Sequence, residues 1–452
     1  MLYRKIRSYI DAHLRSNEDK ILLIEGARQI GKSYIIRDVG TELYDNYVEI
    51  NFVEDDAGDK IFRNVRTTEE FYLNLSMVAG FKLDKYENTL VFIDEIQHYP
   101  QFLTMLKFLR QEHRYRFICS GSLLGIALKK TVSVPVGSII PKKMYQLDFE
   151  EFLIANDFGE DAIVHLRKSF EQKQPLAPEV HDKVLSLFKR YLLVGGMPDA
   201  VNEYLNSHNI VKVREAQESI RELYGVDASR YEEDAAKKLY IRRIYDMIPS
   251  QMENKKKRIV AKDILDRKGD RFSNYMEEFE YLINSGITIA SNAISNPKYP
   301  LAESQQKNLL KLYMNDVGML SSQLYHYNIH PILNDIASIN LGSVYESAVA
   351  QELKAHYEKL FYYDNKQKGK VDFLVADSGT MSVLPIEVKS GKDYTVHSAL
   401  DNLMTIQDYH IISSIVLSNE REIKTKGNIL YLPIYYVMFL ENKVPEKENL
   451  YF

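Results

Sequence analysis

"IEGARQIGKS", Ile24 to Ser33, is the stretch on which the reading of this chain turns. Gly26, Gly31, Lys32 and Ser33 fill the spacing GxxxxGK[S/T], with the apolar run ILLIE before it and the amphipathic run SYIIRDVG after it. A strand, a glycine loop and a helix in that order predict a loop that holds nucleotide phosphates. Glycines let backbone N–H groups wrap an anion, and the start of the helix adds favourable partial charge. Lys32 is then expected to reach the β- and γ-phosphates, and the Ser33 hydroxyl to ligate Mg2+. Tyr34, the next residue, is counted with the nucleotide contacts.

About sixty residues further on, LVFIDE is an apolar strand that delivers Asp94 and Glu95 at its C-terminal end, where α/β sheets hold their ligands. Asp94 is expected to hold Mg2+ through water, and Glu95 to orient or deprotonate the attacking water. The next strand ends FICSGS, which places Ser120 or Ser122 beside the γ-phosphate as a polar sensor, although a strand end capped by serines reads the same way. Across residues 20–125, KILLIEG, NYVEINF, NTLVFIDE and RYRFICSGS alternate with helix-like stretches at 67–79 and 101–112. Apolar runs without alternation suit strands buried on both faces, hence a parallel α/β sheet.

Beyond the sheet the pattern changes three times. Residues 148–240 read as helical, with Asp148 capping DFEEFLIAN and Gly195–Gly196 before Pro198 marking a turn between helices. Residues 241–330 hold a basic helix-like run, KKKRIVAKDILDRKG, a second helix ending at Gly286, and then two strand-like runs. Helix, helix and hairpin is the order of a winged helix. Lys255, Lys256, Lys257 and Arg258 are its candidate DNA contacts, with Lys262, Arg267, Lys268 and Arg271 nearby. The same run also describes an ordinary solvated face. Residues 331–445 give a helix, GSVYESAVAQELKAHY, the strand-like runs LFYYDN, KVDFLVAD and SVLPIEVKS, a helix and a further strand. The closing residues 446–452 read as an expression scar and are left out of the fold.

A chain of 452 residues exceeds one ordinary core and predicts several domains. With 45% hydrophobic and 27% charged residues it has the composition of a globular protein. No run approaches the eighteen or so apolar residues of a membrane helix. The single cysteine, Cys119, excludes an intrachain disulfide and a thiolate zinc cluster, and fits a reducing cytoplasm. A net charge of −5 argues neither for nor against nucleic acid, because the basic residues are clustered locally. The eleven histidines show no metal-ligand spacing, and His98 reads as structural.

GARQIGKS, FIDEIQHYP, SGSLLG, YQLDFEEFL, LLVGGMPDAV, LYMNDVGML, GSVYESAVAQEL and VDF…PIEVKSGK together resemble a family of prokaryotic AAA-like ATPases. Its members carry a C-terminal domain related to the PD-(D/E)XK nucleases. The resemblance spans residues 22–391. It implies a P-loop ATPase core (1–147), a helical lid (148–240), a winged-helix segment (241–330) and a restriction-endonuclease-like α/β domain (331–445). It also implies that Arg28 touches the γ-phosphate or a neighbouring subunit, so a homo-oligomer stays open. Where many relatives have Gly-Arg this chain has Gly137–Ser138, so no arginine finger is assigned there.

The nuclease relationship gives a role to LPIEVKSGK, Leu384–Lys392, in which Glu387 and Lys389 project from one face of a strand. Glu346 on the preceding helix and Asp372 in KVDF complete an acid, acid, lysine set. Asp372 and Glu387 are expected to share Mg2+ or Mn2+, with Lys389 offsetting charge at a phosphodiester. The sequence therefore predicts a Mg2+-dependent ATPase whose nucleotide state controls a DNA-binding, nuclease-like module. A non-cleaving DNA-binding or signalling switch is the alternative, and a chaperone-like ATPase the third reading.

Overall fold

The structure is a computed structural model that describes residues 2–80, 83, 85–122, 137–230, 234–254, 257–301, 305–334, 340–391 and 393–442. Its contacts gather into two compact units. The first comprises residues 1–146 with 284–287, and the second comprises 147–283 and 288–452.

The first unit is built on a sheet of β1 (Ile21–Glu25), β2 (Asn46–Asn51), β3 (Thr89–Asp94), β4 (Arg116–Gly121) and β5 (Ile139–Lys143). These lie in the order β2-β3-β4-β1-β5, and every pairing is parallel. Every residue of β3 and β4 is buried, which is why their sequences run apolar without alternation. Aromatic side chains fill one side of the sheet, with Phe52 against Phe102 at 4.5 Å and Tyr99 at 4.9 Å between ring centroids. In this order β1 sits between β4 and β5. The loop after β1 and the acidic end of β3 therefore come out at the same edge of the sheet.

The second unit joins helices to an eight-stranded sheet in the order β12-β13-β11-β10-β9-β8-β6-β7. The strands are β6 (Thr288–Ile294), β7 (Gln305–Met314), β8 (Leu360–Asn365), β9 (Gly369–Asp377), β10 (Ser382–Val388), β11 (Ser414–Ser418), β12 (Lys424–Lys426) and β13 (Ile429–Pro433). The helix Gly342–His356 precedes an antiparallel meander β8-β9-β10, and β11 returns parallel to β10 after the helix Ser398–Met404. Asp148 caps the helix Phe149–Ala155 as expected, in a reciprocal box with Glu151. The helix Pro178–Val194 ends at Gly195 with φ +73°, as the glycine pair predicted.

The region expected as a separate winged helix is organised differently. The hairpin β6–β7 forms, but β6 also pairs in parallel with β8, so the expected wing is an edge of the large sheet. The basic run is not a long helix. The preceding helix, Ala235–Glu253, stops before it, and only Lys262–Leu265 is helical within it. Lys255 and Lys256 lie outside the described residues, as do residues 123–125 of SGSLLG and the tail 443–452.

Candidate functional site

Gly31 adopts φ +89° directly before the helix Lys32–Leu43, so the chain can turn from the loop into the helix. Lys32 is buried in this turn and donates to the carbonyls of Gly26 (3.0 Å) and Ala27 (2.8 Å). Burial lowers its pKa, against the pull of Glu95 and Asp94.

Asp94, at the end of β3, collects four donors. Its Oδ2 accepts from Ser33 Oγ at 2.7 Å and Asn51 Nδ2 at 3.3 Å, and its Oδ1 from the Glu95 amide at 3.0 Å and from Ser120 Oγ. A hydroxyl and a carboxylate meeting here are hard oxygen ligands, so Ser33 and Asp94 fit Mg2+. Glu95 takes a left-handed backbone, φ +52°, a conformation that a residue with a side chain holds only under local constraint. Its carboxylate is fixed by Gln97 Nε2 and by Ser122 Oγ at 3.1 Å, and Arg28 Nε lies 3.4 Å from the same Ser122 oxygen. Burial pushes the Glu95 carboxyl up. The Lys32 and Arg28 charges and the two hydrogen bonds outweigh that and hold it below the ordinary glutamate value. A carboxylate kept ionised beside a buried lysine is equipped to accept a proton or align a water.

The expected set Gly26, Arg28, Gly31, Lys32, Ser33, Asp94, Glu95 and Ser120 is thus brought to one edge of the sheet. Tyr34, the third residue of the helix, is exposed. Sequence reasoning missed Asn51 and Gln97. The first ends β2, beside β3 in the sheet, and the second lies two residues beyond Glu95, so both were within reach of a topology argument.

In the second unit, β9 and β10 pair antiparallel with Ile386 opposite Phe373. One step along that register, Glu387 faces Asp372 on the same side of the sheet, and the Val388 amide donates to Asp372 Oδ2 at 2.9 Å. Lys389 Nζ lies 2.9 Å from Glu387 Oε1, while Glu387 Oε2 is buried without a hydrogen-bond partner. Glu346, from the helix Gly342–His356, is 1% exposed. It accepts from Lys257 Nζ, Lys311 Nζ and the Tyr313 hydroxyl, each at 2.7 Å.

These contacts divide the three acids. Burial opposes ionisation of Glu346, but Lys311 and Lys257 outweigh it and bring its pKa down to about 2. For Asp372, burial and then the Glu346 charge raise it. Glu387 is pushed up to about 8, by burial first and by Asp372 second, against Lys389. Glu346 is thus bound to Lys311 and Tyr313, which the sequence reading missed, while Asp372 and Glu387 face each other across β9 and β10. A single lysine inside the apolar β7 run NLLKLYM was the available signal for a buried ion pair.

The candidate DNA contacts are differently placed. Lys257 is bound to Glu346, and Arg258 Nη1 lies 3.5 Å from Asp364 Oδ2, so the described part of that cluster points at acids of its own unit. Among the described residues no set of three His, Cys, Asp or Glu side chains is arranged to hold a metal ion. No helix among them is long and apolar enough to cross a membrane.

Residues 18–153 match the model of an AAA domain, 185–326 that of a domain of unknown function (DUF8612), and 341–437 that of another (DUF4143). No curated protein matches the chain. Solved structures similar to it include the Walker-type ATPase PabY2304 of Pyrococcus abyssi, at 15% identity and TM-score 0.42, covering 71% of this chain and 95% of that one. Others are the Aeropyrum pernix ORC1 protein in complex with DNA (12%, TM-score 0.32, 74% and 91%) and the Thermotoga maritima RuvB Holliday junction branch migration motor (14%, 0.30, 64% and 89%). The first unit thus carries an AAA-like, P-loop ATPase domain.

Proposed function

We propose that the protein is a Mg2+-dependent ATPase whose nucleotide state controls a DNA-binding, nuclease-like module in its second unit. The observation that carries the first half is the meeting of Ser33 with Asp94 beside an ionised, clamped Glu95. Ser33 and Asp94 are the residues that would hold Mg2+, which when bound would supply positive charge for the phosphates. Lys32 adds positive charge at the same phosphates. Glu95 aligns the attacking water and accepts its proton, with Gln97 and Ser122 fixing which carboxylate oxygen faces it. Arg28, beside Ser122, contributes charge near the γ-phosphate, in its own subunit or a neighbouring one.

The nuclease-like reading of the second unit is supported by its order of helix, three antiparallel strands, helix and parallel strand. It is also supported by Asp372 and Glu387 facing each other across β9 and β10. DNA is the partner that such a fold suggests, and a cytoplasmic enzyme that can self-associate through Arg28 is the setting that goes with it. The deciding experiment follows ATP hydrolysis by purified protein with and without plasmid and single-stranded DNA. Hydrolysis that DNA stimulates and that Glu95→Gln removes supports the reading. Hydrolysis indifferent to DNA, with no DNA retained, returns the second unit to a protein-directed role.

A further inference from the structure

Two of the three acids of the second unit are paired with ammonium groups, while Asp372 accepts from the Val388 amide and feels the Lys311 and Lys257 charges without a contact. Glu346 is bonded to Lys257 on Oε2 and to Lys311 on Oε1, and Glu387 to Lys389. Oxygen cages bind divalent ions through carboxylate charge that nothing else has neutralised. Here both oxygens of Glu346 are occupied by ammonium groups, so its charge is already neutralised inside the protein.

The two lysines on Glu346 are built in rather than incidental. Lys311 stands in the middle of β7 with its side chain 5% exposed, and its ammonium lies 4.6 Å from the centre of the Tyr362 ring. Tyr313, two residues on and on the same face of the strand, donates to the same carboxylate oxygen. Lys257 arrives from a different direction, out of the loop after the helix Ala235–Glu253, with φ +45°. Two elements distant in sequence therefore converge on one carboxylate. The expected divalent ion shared by Asp372 and Glu387 does not fit this arrangement, since a dication would enter a cluster that already holds as many ammonium groups as carboxyls.

We propose that Lys257 and Lys311 take the place of the divalent cation, making the cluster a metal-free ion-pair core in a module that holds nucleic acid without cutting it. The inference rests on the nuclease-like reading of the second unit. It replaces metal-dependent chemistry there with charge balance supplied by the chain.

The test is Mn2+ binding by the full chain without nucleotide, in an Asp94→Asn background that silences the first site. Four proteins are compared: this parent and the parent with Lys257→Met and Lys311→Met, each with and without Glu387→Gln. The expected result is no Mn2+ ion in the parent that depends on Asp372 or Glu387. The two lysine changes should create a site, seen as at least tenfold tighter Mn2+ binding, which Glu387→Gln abolishes. If the double variant does not fold alone, Lys257→Met on its own should show a Mn2+-dependent rise in melting temperature that the parent lacks. A parent that binds Mn2+ and loses it with Glu387→Gln overturns the proposal. So does DNA scission by the native chain that Asp372→Asn removes, or a folded lysine variant that gains no ion. DNA retention by the native chain is scored separately. Its absence sinks the functional reading, while the Mn2+ result still judges the lysines.

Discussion

Replacing Lys311 by Met should destabilise the second unit by roughly 3–5 kcal/mol at pH 7, and the size of the loss should depend on pH in a defined way. Glu346 is fully buried and carries a pKa of about 2, against about 4.5 in an unfolded chain. Its folded pKa is depressed, so the stabilisation is fully present above about pH 4.5 and is lost as the pH falls through about 2. Lys311 and Lys257 depress that carboxyl together, so the loss for one lysine is set by the roughly 3–5 kcal/mol typical of removing one partner from a buried ion pair. Methionine keeps the length of the stem over Tyr362 and removes the charge. Denaturant titration, followed by a probe in the second unit, should therefore show a lower midpoint for Lys311→Met at pH 7 and a gap that narrows progressively below pH 4.5. Adding Glu346→Gln should recover much of the loss, because the buried charge is then gone. Equal midpoints at pH 7, or a gap that persists undiminished near pH 2, would refute the reasoning.

Lys32→Ala should abolish ATP binding, whereas Glu95→Gln should bind ATP normally and hydrolyse it about 10²-fold or more slowly; calorimetry and phosphate release separate the two, and unchanged affinity in Lys32→Ala would remove the assignment. Glu387→Gln should raise the melting temperature at pH 9 and do little at pH 5. The raised carboxyl contributes stability below about pH 4.5 that is lost as pH rises through about 8, and the amide has no such loss. A melting profile parallel to the native one across this range would count against that. Gly196→Ala should destabilise the protein by about 1–3 kcal/mol and lower soluble yield, because a Cβ there would stand 2.0 Å from the Leu147 carbonyl oxygen; a melting temperature within a degree of the native value would contradict it.

The nucleotide site was legible because its signals are local. The glycine spacing from Gly26 to Ser33, the apolar strand into Asp94, and the chain reversals between them all follow from short windows of sequence. Asp148 with Glu151 was legible for the same reason, since a capping box closes within one helical turn. The pairing of Asp372 with Glu387 was within reach, because consecutive antiparallel strands bring such spacings together. The basic run 255–258 left its partner open, because charge alone does not say which anion it meets. The partner of Lys257 is 89 positions away, and Arg258 meets Asp364 on β8. The same distance hid Lys311 and the pairing of β6 with β8, where the competing edge of another hairpin outweighed the compact wing that local order suggested. The buried tail Ile434–Phe439 coils as a tight helix although its sequence, IYYVMF, has strand composition.

Glu352 has a bearing on how the protein is made. Its Oε1 receives the Phe149 amide at 2.9 Å and the Tyr191 hydroxyl at 3.0 Å, closing the start of one helix from 203 positions further along the chain. All five strands of the first sheet have been synthesised by Lys143. On the ribosome, by contrast, Phe149 waits for 203 residues and Tyr191 for 161 before that carboxylate exists. Closing so long a loop is slow compared with forming local contacts. The early helices therefore emerge with their apolar faces uncovered, at the stage when nascent chains are most exposed to aggregation and to holdase chaperones. A transcript truncated before Glu352 would yield a finished first sheet followed by helices that lack this carboxylate and keep only their local caps.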